Sequence, residues 1–563
     1  MPENLDQSFP LLRIIPLGGL GEIGLNMMLF ETRDQILVVD AGLMFPEDHM
    51  LGVDLVLPDF SYLRQRRDKV KAIILTHGHE DHTGALPYLL PELPVPVYGT
   101  RLTLGLVREK LQEFNLAGKA DLISVSSGET LELGDCKVEL IAVSHSIADG
   151  VGLAISTPAG TVIHTGDFKL DPTPVDGRRM DLNAFARYGD RGVLVLLSDS
   201  TNVEQEGYTP SEREVGRALD EIFHTAPGRI LVAAFSSNIH RVQQVLEAAE
   251  NFGRQVVIHG RSMESNTRIA SELGYLRLPA ALLADIDQIE KIPDSKLVVL
   301  TTGSQGEPLS ALARMARDEH KQIRIKRGDT VVLSSKFIPG NEKPIHSLIN
   351  ELCRRGAEVI HEKVSEIHVS GHASQEELKL MIGLTRPQYF VPIHGEYRHL
   401  VRHAKLARQM GIAPENCFLA ENGDIISFDE EGGFLAGRIP TGRILVDGKG
   451  VGDVGDKILR ERRILGEDGV VVATVLVDPE SLALRGPVRL ESRGFIFEEE
   501  SQELLQAAKD HLTEALANLP PERRASVEAL QEEIRITLRR FFKKAILRRP
   551  EVVPVVVKLP PEK

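Results

Sequence analysis

Between Leu11 and Leu197 the chain is cut into short, β-branched-rich runs that end on His, Asp or Gly. LRIIPLGG, QILVVDAG, KAIILTHG, CKVELIAVSH, GTVIHTGD and GVLVLLSDS each carry a few consecutive apolar residues and then stop at a polar or glycine cluster. Runs this short fit buried strands better than buried helices. Ionisable side chains at strand ends fall where loops begin, the place where an α/β layer keeps its chemistry.

From residue 211 the rhythm changes. SEREVGRALDEIFHTA opens on Ser211 as a cap, continues with acids in its first turn, and then spaces its apolar residues as a helix does. RILVAAF, QVVIHG, KLVVLTTG and DTVVLSS follow as buried strands between helical segments, a parallel α/β unit over 211–365. Strand-ending His and Gly clusters resume at HVSGHAS and FVPIHGE, so 211–365 reads as an insertion into a first domain built from 1–210 and 366–450. The Gly-rich stretch EEGGFLAGRIPTGRILVDGKGVGDVGD reads as turns that lead into a linker over 451–465. A last α/β unit, 466–563, has the strand GVVVATVLVD, amphipathic helices near 501–519 and 525–547, and the closing strand VVPVVVKL. Pro554 puts that strand at a sheet edge, open to a second chain.

Composition narrows the function classes. With 66 Lys+Arg against 81 Asp+Glu the formal charge is −15, which excludes a uniformly basic, nucleic-acid-coating surface but leaves room for a local groove or a metal site. Cys136, Cys353 and Cys417 lie far apart and form no CxxC pair, which argues against a disulfide framework and a thiolate zinc site and fits a reducing compartment. No apolar run approaches the roughly 18 residues that span a bilayer. MPENLDQSFP has neither a basic nor an apolar leader segment, so a cytoplasmic protein without membrane contact is expected.

The densest chemistry is His77-Gly78-His79-Glu80-Asp81-His82, directly after KAIILT. Imidazoles and a carboxylate are ligands for zinc or a similar divalent ion. Alternate residues just past a strand turn His77 and His79 the same way, and Asp81 with His82 can serve a second ion nearby. A second motif, Gly19-Leu20-Gly21-Glu22-Ile23-Gly24, fits GxGxxG after a strand. A dinucleotide site needs a helix next. Asn26-Met27-Met28-Leu29-Phe30 reads instead as another strand, so a hairpin turn is expected here.

HxHxDH after a strand resembles the metallo-β-lactamase superfamily, and the rest of that pattern follows in order. Asp40, ending QILVVD, resembles the acid that supports the ligand loop; His145 in AVSHS and Asp167 in HTGDF resemble the two later ligand motifs. Alone, His145 would read as a structural histidine and Asp167 as a turn acid. Asp199 in LSDST, His372 in HVSGHAS and His394 in VPIHGE resemble the three extra motifs of the β-CASP nucleic-acid-processing branch, and His at the last position points to RNA over DNA. GGLGEIGLN, FSSNIHR, TTGSQGEP and SSKFIPGNE resemble the ribonuclease J family, over essentially the whole chain.

The resemblance implies a metallo-β-lactamase αββα sandwich, an inserted α/β β-CASP domain and a small α/β C-terminal oligomerisation domain. It implies two divalent ions, Zn²⁺ before Mn²⁺, one on His77, His79 and His145 and the other on Asp81, His82 and His394, bridged by Asp167. His372, oriented by Asp199, corresponds to the general acid, and Asp81 belongs to the catalytic set. His368, Val369, Ser370, Gly371 and His372 correspond to a phosphate-gripping segment, joined by Ser237 and Asn238. A structural Ca²⁺-type ion is implied near Leu51, Val53 and Asp447. The implied activity is hydrolysis of single-stranded RNA, 5′→3′ from a 5′-monophosphate and also internally, in RNA maturation and decay with partner proteins.

Three other readings compete: a superfamily small-molecule hydrolase such as a thioesterase or lactonase, a non-catalytic RNA-processing scaffold, and a DNA nuclease. The large insertion, the full ligand set and His394 respectively weigh against them. The basic run Arg535, Arg539, Arg540, Lys543, Lys544, Arg548 and Arg549 reads as a solvated helix face over Leu538, Phe541, Phe542 and Ile546 before it reads as an RNA patch. With the neighbouring edge strand, it makes a homodimer or higher homo-oligomer through the C-terminal unit the expected assembly.

Overall fold

The computed structural model describes residues 9–337, 341–361, 367–495 and 498–559. Part of the N-terminal tail, the Ile338-Pro339-Gly340 step of SSKFIPGNE and the expected boundary at 365/366 lie outside or at the limit of those residues. By its internal contacts the chain divides into two units, one of 1–45 with 56–444, the other of 46–55 with 445–563.

The first unit holds two sheets packed face to face. The larger orders its eight strands as Gly433–Arg438, Asp424–Phe428, Leu12–Gly18, Met27–Glu31, Ile36–Val39, Val70–Ile74, Val97–Gly99 and Leu122–Ser124. The smaller runs Tyr389–Ile393, Val195–Asp199, Gly160–His164, Val151–Thr157, Cys136–Ala142 and Thr130–Leu133. Ile14, Phe30, Leu37 and Ile74 from one sheet and Val138, Leu153, Val162, Val195 and Val391 from the other share a single buried core. Leu12–Gly18 pairs antiparallel with Met27–Glu31, so the GxGxxG segment lies in the connection between two paired strands, with no dinucleotide-type helix after it. The outer face of the smaller sheet is covered by the helices Leu182–Arg191, Gln375–Thr385 and Tyr397–Gln409, through Phe185, Leu378, Met381 and Ala404. The helix Arg101–Glu113 packs on the far strands of the larger sheet. This is the αββα sandwich. Its smaller sheet is completed by Tyr389–Ile393, parallel to Val195–Asp199 although almost two hundred residues of chain separate them; the intervening segment is the insertion.

That insertion carries five parallel strands in the order Gln255–His259, Leu297–Thr301, Ile230–Ala233, Thr330–Leu333 and Glu358–Ile360. Their continuous apolar runs follow from burial on both faces. The helix Glu212–Thr225 leads into it, capped by the Ser211 hydroxyl, which accepts from the Arg213 amide at 3.3 Å. Its Val215, Leu219 and Phe223 pack in the core of the insertion with Val232 and Val242.

In the second unit Val470–Val477 is the centre of a three-stranded sheet, flanked by Arg489–Arg493 and Glu551–Lys558. The closing strand is an edge, as Pro554 requires. Val471, Ala473, Val475 and Val477 alternate inward beneath the helices Glu498–Ala517 and Val527–Ile546. Leu538 and Phe542 point into this core from the basic helix. Two expectations differ. The stretch taken for a linker over 451–465 contains most of the helix Asp456–Asp468, which buries none of its residues and so left no apolar stripe to read. The Gly-rich run taken for turns contributes the strand Gly433–Arg438, whose mostly exposed residues likewise lack a buried apolar pattern. Phe542 is fully buried and meets Phe495 edge to face, ring centroids 4.9 Å apart. Phe542→Ala should cost about 3–5 kcal/mol in the unfolding of this unit, measured by denaturant titration.

Candidate metal centre

The strand Val70–Ile74 delivers the His-rich motif to the end of the sandwich, and the short helix Glu80–Thr83 turns its second half back. Two sets of donors result, each with its ligand atoms within 4.8 Å of one another: His77, His79, His145 and Asp167, and Asp81, His82, Asp167 and His394. Asp167 Oδ2 is common to both. It lies 3.7 Å from His77 Nε2, 3.3 Å from His82 Nε2, 3.8 Å from His145 Nε2 and 3.4 Å from His394 Nε2. His79 Nδ1 faces His77 Nε2 at 3.0 Å and His145 Nε2 at 3.2 Å. His82 Nε2 lies 3.6 Å from Asp81 Oδ2.

The outer ring nitrogens fix which edge each imidazole turns inward. His145 Nδ1–H donates to the Gly371 carbonyl at 2.7 Å, His82 Nδ1–H to Asp40 Oδ2 at 2.7 Å, and His394 Nδ1–H to Asn26 Oδ1 at 2.9 Å. Each therefore turns Nε2, the atom a cation would take, toward the centre. Asp40 is itself held by the Thr76 amide and hydroxyl, both at 2.8 Å. Imidazole nitrogens and carboxylate oxygens that converge in this way, with ring N–H groups turned outward, form an arrangement that a cation satisfies. The donor set fits a pair of divalent ions.

Electrostatics divide the imidazoles into two kinds. Burial pushes the His77 and His145 imidazoles well below their ordinary range and His79 down to about 4, so these three stay neutral, the form that ligates. Burial also opposes charge on His82, but Asp167, Asp81 and Asp40 outweigh it and hold its pKa well above the ordinary value. Asp167 is held well below the carboxylate range despite burial, with His394 and His82 the largest opposing influences. Beside the two sets, His372 Nδ1–H donates to Asp199 Oδ2 at 2.7 Å. Burial works against a charged His372, yet Asp199 prevails and raises it to about 9.

The other expected positions fall as follows. Gly371 lies against His145; a Cβ there would sit 2.7 Å from His145 Cε1, so only glycine permits the approach. Ser370 Oγ accepts from the His372 amide at 3.1 Å, and Val369 is buried. His368 Nδ1 is buried without a hydrogen-bond partner among the described residues, and burial followed by Arg241 pushes its pKa down to about 3. Ser237 and Asn238 occupy the loop after Ile230–Ala233, where Asn238 Oδ1 caps the helix Ile239–Asn251 by accepting from the Arg241 amide at 3.0 Å. The chain leaves Ile230–Ala233 toward one edge of the sheet and Thr330–Leu333 toward the other, the crevice at which parallel sheets bind ligands. Ser335 and Lys336, next to this crevice, were not singled out from sequence; Gln305 Nε2 donates to the Ser335 hydroxyl and the Lys336 carbonyl, both at 2.8 Å. Nor was Asn26, whose importance lies in a contact to His394 across 368 positions of sequence.

In the second unit the Arg462 guanidinium donates to the Leu51 carbonyl at 2.9 Å and to Asp447 Oδ2. Two of the three oxygen donors expected around a structural ion thus already share a side-chain cation. Val53 donates its amide to the Met50 carbonyl at 3.1 Å.

An αββα sandwich with an inserted parallel α/β unit and a shared His/Asp cluster at the sandwich end defines a β-CASP metallo-hydrolase. Residues 20–229 match the metallo-beta-lactamase superfamily, 227–352 the ribonuclease J beta-CASP domain, 356–420 the Zn-dependent metallo-hydrolase RNA specificity domain, and 457–559 the ribonuclease J C-terminal domain. Ribonuclease J of Thermus thermophilus is 46% identical over 97% of this chain and 95% of its own length. Ribonuclease J2 of Bacillus subtilis is 41% identical over 97% and 99%. A solved structure of a protein of unknown function from Enterococcus faecalis shares the fold, with a TM-score of 0.52 at 17% identity over 74% of this chain and 99% of its own. The chain belongs to the ribonuclease J family and is a nuclease of the metallo-hydrolase type, with RNA as its substrate. Among the described residues no helix is long and apolar enough to cross a membrane. His79→Ala and Asp81→Asn should each lower bound divalent metal, read by elemental analysis, while circular dichroism stays as in the parent chain.

Proposed function

We propose that the chain hydrolyses single-stranded RNA 5′→3′ from a 5′-monophosphate, with internal cleavage as a second activity. The observation that carries this reading is Asp167 Oδ2 within 3.3–3.8 Å of four imidazole nitrogens, with the Asp199–His372 pair beside it. His77, His79 and His145 would hold one ion and Asp81, His82 and His394 a second, with Asp167 available to both; imidazole and carboxylate donors favour Zn²⁺ and also accept Mn²⁺. When bound, such a pair supplies an activated water and offsets charge on the phosphate oxygens. His372 keeps its proton because Asp199 accepts from Nδ1–H, which leaves Nε2–H to protonate the departing 3′ oxygen. The His368–His372 segment and the Ser237–Asn238 loop grip the terminal phosphate, aided by the helix N-terminus at Asn238. A pocket that accepts one phosphorylated terminus favours release of mononucleotides from that end.

The test is an RNA labelled at its 5′ end, offered with a 5′-monophosphate or a 5′-triphosphate in the presence of Mn²⁺. Labelled mononucleotide from the monophosphate alone is expected; longer labelled fragments from both would contradict the end-reading pocket. His372→Ala should slow RNA cleavage about 10²–10⁴-fold with metal content unchanged. Cleavage at the parental rate would remove it from the mechanism.

We also propose a homodimer through the second unit. Val553, Val555 and Val557 on the edge strand are 42%, 37% and 39% exposed, an apolar row on an open sheet edge. Val555→Lys should shift the dimer to monomer in light scattering, and a dimer that persists would place the interface elsewhere.

A further inference from the structure

The chain crosses between the sandwich and the insertion twice, near 209–212 and near 367–374, and buried glutamates hold both crossings. Glu377 accepts from the backbone amides of Leu170 at 2.6 Å, Thr209 at 2.8 Å and Ser374 at 2.7 Å. Glu212, in the first turn of the helix that enters the insertion, takes two cations: Lys169 Nζ at 3.3 Å on Oε1 and the Arg241 guanidinium at 2.9 Å on Oε2. All three side chains are buried, Arg241 completely.

Each arm of this triad leads to the candidate centre. Lys169 lies two residues after Asp167, and its amide donates to the carbonyl of Ser144, the neighbour of His145, at 2.8 Å. Arg241 donates to the Ile367 carbonyl at 2.7 Å, one residue before His368, and to the Ser334 hydroxyl at the end of a strand of the insertion. Ser334 Oγ reaches the same Ile367 carbonyl at 2.7 Å, and Gln244 Nε2 donates to the Glu212 carbonyl at 2.6 Å. The Glu212 carboxylate is thus the joint between the loop of Asp167 and the segment that ends in His372. A buried ion triad of this kind returns little net stability against well-packed apolar side chains, and its strength lies in fixing one geometry.

We propose that Glu212 is a positioning residue of the hydrolytic reaction: through Lys169 and Arg241 it fixes the His368–His372 segment relative to the Asp167 loop, so that proton donor and ligand sets address the same phosphodiester. The inference rests on the RNA-hydrolysing reading given above. Glu212→Gln keeps the volume but removes the charge that both cations share. The variant is compared with the parent chain on 5′-monophosphorylated RNA and on bis(p-nitrophenyl) phosphate, whose leaving group needs no proton. The expected result is a fall in kcat on RNA of about tenfold to a hundredfold, as small misplacements of reacting groups produce, with metal content and turnover of the small phosphodiester unchanged. Equal losses on both substrates, or none on RNA, would overturn the inference. A parent chain that cleaves no RNA would overturn the nuclease reading itself. Should Glu212→Gln fail to fold, Arg241→Lys keeps the charge, gives up the planar bridge to Ile367, and is expected to show the same split.

Discussion

The architecture depends on one buried carboxylate. Asp167 is 4% exposed, and a charge so far from water is tolerable only where opposite charge surrounds it. His82 and His394, at 3.3 and 3.4 Å, oppose part of that charge, and a cation pair held among the ligands would do the rest. Both sheets must end at the same place for this to happen: His77 follows a strand of the larger sheet, while Asp167, Asp199 and His394 follow or end strands of the smaller one. The sandwich holds these ends in register because its two inner faces form one apolar core. The packing that stabilises the fold therefore also sets the ligand positions.

Local backbone strain marks the places where packing alone does not suffice. Asp40 and His394 both adopt left-handed φ, +62° and +50°, which non-glycine residues rarely do. Each is over-determined by its side chain: Asp40 accepts from Thr76 twice and from His82, and His394 donates to Asn26. The strain, of order 1–3 kcal/mol per residue, is offset by these hydrogen bonds.

How much of this was legible follows from the sequence distance at which each contact is made. His77, His79, Asp81 and His82 announce themselves because a strand followed by a tight turn brings them together within six positions. His145, Asp167, Asp199, His372 and His394 have no local signature; alone each reads as a structural histidine or a turn acid, and only the ordered likeness to a known pattern raises them. Asn26, Glu212, Arg241 and Glu377 stayed silent altogether. Glu212 and Arg241 look like ordinary charged positions on amphipathic helices, and nothing in a helical period tells a buried cation from a solvated one. The helix Asp456–Asp468 escaped for the opposite reason, since it buries no residue and its polar composition reads as a connection.

The insertion is more than a lid fastened to a finished site. His372 stands between two chain segments, Asp199 on the sandwich side and the return crossing from the insertion on the other, and the Gly371 carbonyl beside it also orients His145. A shift of the return crossing would therefore move the proton donor relative to the ligands that the sandwich carries. A purely apolar junction would let that crossing slide among near-equivalent packings, whereas an ion triad with defined partners admits few alternatives. The buried Lys169–Glu212–Arg241 set sits where such sliding would do most harm, so the charge that costs most to bury lies where geometry matters most.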